Sequence, residues 1–396
     1  MGTTTRTYAT VFLASLLAAC GAGPRDADNG ALNADVEALA ATVTLEIGEA
    51  EGEPAYLFGR VSGLALDAGG RIYVADGQAS EVRVFAPDGT HLFSFGRAGS
   101  GPGEMRQPCC LAFDRAGLLW LRDVGNARYN AYRIDAGGVT YVRQVRMAHS
   151  DANYAAPVTF SADGHLIDVG HRYDPAADAA TLFRFHLDSA GLVVREEAIP
   201  TPTPRELGAQ IVERTSGNSR HRFYFWPPYG ARHLVAHSPG GSRATAISSA
   251  YEIEWHGPDG ELARTIRRPG VTGPPVSPEE AQWAEERIAA QLQSFGAAPG
   301  DARFRVPERK PPLAGLFFDR AGRLWVRRSV AQGQPSEADV YSADGKLFAR
   351  VTWPARIWLD DGFVDLDRAL GITTDSLGVV RVALLEFAPA AGSENR

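Results

Sequence analysis

Lysine is almost absent from this chain. Only Lys310 and Lys346 stand among forty basic residues, so arginine carries nearly all the positive charge, a bias of genome composition rather than of function. Acids outnumber bases, 47 to 40, and the formal charge is −7. That argues against a nucleic-acid partner, whose phosphates select a basic face. Two of the three cysteines, Cys109 and Cys110, are adjacent and so cannot supply the Cys-x-x-Cys spacing of a redox or zinc motif. No Gly-x-Ser-x-Gly elbow and no His-Glu-x-x-His helix is present. The most apolar run, VFLASLLAA, is too short to span a bilayer as a helix. What is there is ordinary for a globular protein: 396 residues, 44% hydrophobic and 22% charged, enough for one large or two ordinary domains.

The chain repeats itself. LALDAGGRIYVAD, LAFDRAGLLWLRD, VTFSADGHLIDVG and LFFDRAGRLWVRR each read as a short apolar strand, a turn ending in glycine, and a second strand. The turn glycines are Gly70, Gly117, Gly164 and Gly322, and the first three are spaced by 47 residues. Glycine suits a turn position with φ > 0. Three residues after each glycine comes a large side chain: Tyr73, Trp120, Ile167 or Trp325. A second hairpin follows each first one, and a further unit lies in 233–266 around SPGG and PDG. Four antiparallel strands per unit, with turns about every ten residues and no helices between, are the pattern of β-propeller blades. A sixth unit, from ARIWLDDGFVDLD to VVRVALLEF, has three strands, and TVTLEI (42–47) supplies the missing outer one. The expectation is an all-β, six-bladed β-propeller over 42–388, closed by this N-terminal strand, with a short tail at 389–396. A solenoid is the alternative, but it leaves the spare upstream strand unexplained.

Two inter-unit segments are long, 200–231 and 270–311. The second carries SPEEAQWAEERIAAQLQSFG, a helix within an insertion of about 276–298. Ser277 is its N-cap, Pro278 suits the first turn, Glu280 completes a capping box and Gly296 ends it. Ala284, Ile288, Leu292 and Phe295 form an apolar face expected to pack on the propeller.

The connector FGRAGSGPGEMRQPCCLAFDRAGLLWLRD, with WPPYGARHLVAHSPGG, RKPPLAGLFFDRAGRLWV and DSLGVVRV, resembles the NHL-type six-bladed propellers of bacterial lipoproteins. The resemblance spans about 42–388 and implies a fold, not an activity. Ahead of it, Arg6, the apolar run and LAAC (Leu17–Cys20) resemble a lipoprotein signal peptide of residues 1–19 with its lipobox. An ordinary secretory signal with a chance cysteine is the alternative. The resemblance implies acylation, palmitate included, at Cys20, and a flexible tether over 20–41. Gly21 rather than Asp after the cysteine points to the outer membrane of the cell envelope.

Gly99, Gly101 and Gly103 are read as turn glycines. A phosphate loop would continue into Gly-Lys-Ser/Thr and a helix, and here Glu104 and Met105 lead into a strand. Cys109 and Cys110 read most simply as small apolar residues opening an inner strand, and otherwise as a vicinal disulfide at the channel mouth. Connections between blades all rise on one propeller face, so both insertions and the strand ends bearing Asp76, Asp123, His171 and Arg328 are expected there. A ligand or partner site at that mouth would use Trp226, Tyr229, Asp76, Asp123, His171, His233 and Arg328, flanked by the 278–295 helix. Asp76 and Asp123 read equally well as turn residues that bond backbone amides. His165, His186 and His237 read as structural. The functional expectation is a lipid-anchored, monomeric binding scaffold for a protein, peptide or small molecule, with no cofactor and no nucleic acid. The alternative is a Ca- or Zn-dependent lyase or lactonase-like hydrolase in the central channel.

Overall fold

A computed structural model describes residues 25–28, 36–135, 138–149, 156–174, 179–216, 219–296, 305–359 and 363–390. Strands dominate it, with one long helix, α1, at Pro278–Ser294. Each repeat unit becomes a four-stranded antiparallel sheet in sequential order, and the sheets stand in a propeller-like arrangement. The first runs from Val61–Leu66 through Ile72–Asp76 and Glu81–Phe85 to His91–Phe95. The second spans Pro108–Phe113 to Gly138–Arg146, the third Thr159–Phe160 to Val193–Ile199. The fourth spans His233–His237 to Leu262–Arg267, and the fifth Leu313–Phe318 to Leu347–Trp353.

The repeated turn shows why these residues form these hairpins. In the first sheet the Asp67 carboxylate accepts the amides of Gly69 and Arg71, both at 2.9 Å, and Gly70 takes φ +82°. The large residue three positions later closes the motif: the Tyr73 hydroxyl donates to Asp67 at 3.0 Å. Trp120 donates its indole N–H to Asp114 at 2.8 Å, and Trp325 to Asp319 at 3.0 Å. In the third sheet the turn acid is replaced by Ser161 and the large residue by Ile167, which has no donor to offer. Turn acid and buried donor therefore come and go together, as expected where an unpaired buried N–H or O–H is costly.

The last sheet is made from both ends of the chain. Arg368–Thr374 pairs with Val380–Pro389, which pairs antiparallel with the N-terminal strand Glu37–Ile47. Inside it, among the described residues, lie single bridges, Trp358 to Ile372 and Val364 to Ala369. The N-terminal strand begins at Glu37, before the expected Thr42, and its first four residues also pair in parallel with Ala349–Thr352 of the fifth sheet. Arg25–Asp28 pairs in parallel with Arg264–Arg267 of the fourth. The expected free tether over 20–41 is thus engaged at two places. Cys20, the signal peptide and residues 391–396 lie outside the described residues.

The first insertion, 200–231, is not only connecting loop. It holds a hairpin, Gln210–Ser216 with Ser219–Phe225. The C-terminal part of the apolar face of α1 packs on this hairpin: Leu292 and Ile288 join Val212, Phe223 and Phe225, and Phe295 meets the Phe225 ring edge-on at 5.8 Å. The capping box forms as expected between Ser277 and Glu280.

Candidate functional site

Two cavities matter. The innermost segments of the sheets, including Leu64–Leu66, Leu111–Phe113, Val235–His237, Leu316–Phe318 and Phe363–Val364, line a central cavity of about 660 Å³. A second cleft, of about 600 Å³, opens where the fourth, fifth and sixth sheets meet both insertions.

The central cavity contains little free chemistry. Asp114 and Asp319 line it, but their oxygens bond the amides and indoles of their own turns. Among the described residues, no three His, Cys, Asp or Glu side chains group as a metal ion requires. The donor set for a channel metal enzyme is therefore not assembled by these residues. Cys110 lines the cavity, and the structure places a disulfide between it and Cys109.

His237 is the exception on this wall. It is 5% exposed, and neither ring nitrogen has a partner among the described residues. Burial, then the nearby Arg184 and Arg243 guanidiniums, lower its pKa to about 3, with Glu197 opposing them. Those charges belong to a buried cluster in which Glu197 pairs with Arg184 at 2.6 Å and with Arg243 at 2.8 Å. A histidine depressed in the folded state keeps its full stability above the unfolded value of 6.5 and loses it as pH falls toward about 3. From pH 6.5 to about 4.5 this residue should cost roughly 3 kcal/mol, taking about 1.4 kcal/mol per pH unit. His237→Leu should flatten that part of the denaturant-measured stability profile. An unchanged acid slope would show that the residue does not titrate this way.

Asp76 and Asp123 do not reach a cavity. Both are fully buried. Asp76 accepts four amides, from Gly59, Arg60, Gln78 and Ala79, between 2.9 and 3.1 Å. Asp123 accepts from the Arg106 amide at 2.7 Å, Asn126 at 2.7 Å and Arg128 at 3.0 Å. They staple the connector between blades to the second strand. In the third sheet the equivalent residue is Gly170, and a Cβ there would lie 1.8 Å from the His149 ring. His171 comes one residue later and is exposed, so grouping it with the two aspartates was a register error. His233 is half-buried, with its pKa lowered by burial, Arg243 and His171, and it is not on the cleft wall. The glycine loop ends the phosphate question: the carbonyls of Ser100, Gly101 and Glu104 converge on the Arg128 guanidinium at 2.7–3.0 Å, the opposite polarity to an anion cradle.

Three expected residues do meet, in the second cleft: Trp226, Tyr229 and Arg328. α1 forms one wall of it, through Trp283, Arg287, Ile288 and Gln291. Both insertions therefore border one cleft, together with the start of the sixth unit at Ala355–Trp358. Among the described residues, six cations line it, Arg232, Arg287, Lys310, Arg327, Arg328 and Arg356, and no Asp or Glu does. Two of the six are neutralised from behind, Lys310 by Glu280 and Arg328 by Glu337. Burial opposes the Arg328 charge, and the Glu337 pairing more than offsets it, so its pKa is raised. Arg232, Arg287 and Arg356 are exposed and have no carboxylate partner among the described residues. Trp226, Trp283 and Trp358 are 44–50% exposed on the same wall.

No family model matches the chain, and no curated protein matches it. Solved structures resemble it at low identity. Virginiamycin B lyase from Staphylococcus aureus is 10% identical, with 87% of this chain and 99% of that chain covered and a TM-score of 0.42. A member of the DUF4221 family from Bacteroides vulgatus is 9% identical over 89% and 99%, with a TM-score of 0.41. PQQ-bound aldose sugar dehydrogenase from Streptomyces coelicolor is 12% identical over 88% and 98%, also at 0.41. At these values the residues of this chain alone define the site. Among the described residues, no helix is long and apolar enough to cross a membrane.

Proposed function

We propose that this protein is an exported, lipid-anchored, six-bladed propeller of the NHL type that binds an anionic ligand in the cleft beside α1. The six-bladed, closed reading is supported by inner segments of six units on one cavity wall and by the pairing of the two chain ends. The binding reading rests on one observation: among the described residues, six cations and three half-exposed indoles share a wall with no acid, in a chain whose net charge is −7. A protein that evolved only for stability would intersperse acids among such cations. Cations backed by a partly apolar wall hold an anion more strongly than the same charges in open water.

The anchor reading fits this placement. The N-terminal strand runs parallel to the outer strand Leu347–Trp353, whose end leads into Ala355–Trp358 of the cleft. Glu37 and Arg25 each start their strands at the end away from the cleft, an arrangement that would suit an anchor on the side opposite it.

Fluorescence titration with 8-anilinonaphthalene-1-sulfonate, an aromatic anion, tests the binding reading. The Arg232→Glu, Arg356→Glu double variant should weaken binding by about tenfold or more at unchanged melting temperature. Equal affinity in variant and wild type would overturn it. For the anchor, Cys20→Ala should leave unprocessed precursor and abolish incorporation of labelled palmitate. Continued labelling would show that Cys20 is not the acylated residue.

A further inference from the structure

The Cys109–Cys110 disulfide cannot do what structural disulfides do. The two cysteines are adjacent, so the bond closes no loop of chain and constrains the unfolded state very little. It also sits where the backbone is unusual. The inner strands of the first, second and fifth sheets each carry a bulge at the same place, two residues facing one. The bulges are Ser62–Gly63 opposite Ala75, Cys109–Cys110 opposite Arg122, and Ala314–Gly315 opposite Arg327. The second bulge position is thus glycine in the first and fifth sheets and cysteine in the second. Neither glycine enters the left-handed region, yet Cys110 does, at φ +59°. A side chain there is strained, and strain that secures little stability points to function.

The bond also faces space. Cys109 is 8% exposed, whereas Cys110 is half-buried and lines the central cavity of about 660 Å³. That lining follows the second sheet's inner strand from Cys110 to the turn at Asp114 and Arg115, so the disulfide stands at one end of it. Side chains such as Leu64, Leu111, Phe113, Leu316 and Phe318 make the cavity wall largely apolar. We propose that Cys109–Cys110 is a thiol-exchange site that takes two electrons from a small apolar dithiol entering the central cavity. One thiolate of the dithiol attacks the Cys110 sulfur, and the Cys109 sulfur leaves as a thiolate and takes up a proton. Arg122, fully buried, stands opposite Cys109 in the strand ladder, and a cation near a thiolate eases its departure. The second thiol of the ligand then attacks the ligand's own sulfur in the mixed disulfide. The ligand leaves as a cyclic disulfide and Cys110 becomes a thiol, so the protein gains the two electrons and two protons that the dithiol gives up. A monothiol stops at the first step. The Cys109 thiol lies beside the mixed disulfide at high effective concentration, expels the monothiol and closes the ring again.

The test uses the full chain, with thiols trapped by iodoacetamide and the tryptic peptide 107–115 read by mass spectrometry, which keeps Cys20 out of the measurement. Dihydrolipoamide should yield the doubly alkylated peptide while tryptophan emission stays native, and oxidised lipoamide should restore the disulfide. Reduced glutathione at the same thiol concentration should yield at least about tenfold less. Reduced thioredoxin carries its dithiol on a folded protein that a cavity of about 660 Å³ cannot admit. It should react at least about tenfold more slowly than dihydrolipoamide. A bond that yields only once denaturant unfolds the chain would overturn the proposal in favour of a structural disulfide. So would two thiols that oxidised lipoamide cannot close. Glutathione matching dihydrolipoamide would overturn the dithiol assignment, and thioredoxin matching it would overturn the route through the cavity.

Discussion

Asp123→Ala is expected to destabilise the protein by about 3–5 kcal/mol, because it strands a buried cation rather than removing a functional group. The Arg128 guanidinium is 8% exposed and gives its Nε–H to Asp123 at 3.0 Å. The same carboxylate accepts the Arg106 amide and the Asn126 side chain. Alanine leaves all three donors in a site that water does not reach, and each unmet buried donor costs about 1–3 kcal/mol. The connector then loses its anchor, since Arg128 also holds the carbonyls of Ser100, Gly101 and Glu104. Asp123→Asn keeps the size and one acceptor oxygen, so its loss should be smaller. Denaturant midpoints of the two variants read this directly. Binding of the sulfonate probe by whatever fraction remains folded should match wild type, because Asp123 is not on the cleft wall. A variant that kept full stability but lost binding would return Asp123 to the site.

That outcome bears on what a sequence can reveal about this molecule. The turns were legible because each is local: Asp, Gly and the aromatic partner lie within a few residues, as in Asp114, Gly117 and Trp120. The gathering of Trp226, Tyr229 and Arg328 was legible from strand direction alone, which puts inter-blade segments and strand ends on one face. Whether a strand-end carboxylate points outward or back to its own connector was not, since Asp76 and a ligand-facing aspartate look alike in one dimension. His171 failed through a one-residue register slip, which moves a side chain to the other face of a sheet. The cleft's charge was the hardest feature to see. Arg232, Arg287, Arg327 and Arg356 come from four separate elements, and no spacing links them. One local signal did exist: Trp283 is a bulky indole on a helix beside Ala284, outside the apolar face of Ala284, Ile288, Leu292 and Phe295.

Removing the N-terminal strand should be more damaging than any point change, and a chain starting at residue 50 is expected to aggregate or to melt far below the mature protein. The strand Glu37–Ile47 ties two cores together. Leu39, 7% exposed, packs in the cluster of Trp325, Val351 and Trp353, and Ile47, 2% exposed, in that of Val61, Ile72, Phe85 and Val382. Between them the strand pairs with Val380–Pro389 along most of its length and with Ala349–Thr352 at its start. Truncation therefore opens cavities in two clusters and bares the backbone edge of Val380–Pro389. Each lost large aliphatic side chain costs about 2–5 kcal/mol, against a total stability of about 5–15 kcal/mol for a typical domain. Should the truncated chain be too insoluble to measure, Ile47→Ala in the full chain gives the same information, with an expected loss of about 2–5 kcal/mol. A truncated chain that melts like the mature one, together with an Ile47→Ala variant at wild-type stability, would mean the two chain ends are not paired. The propeller-like arrangement would then have to be held by something else.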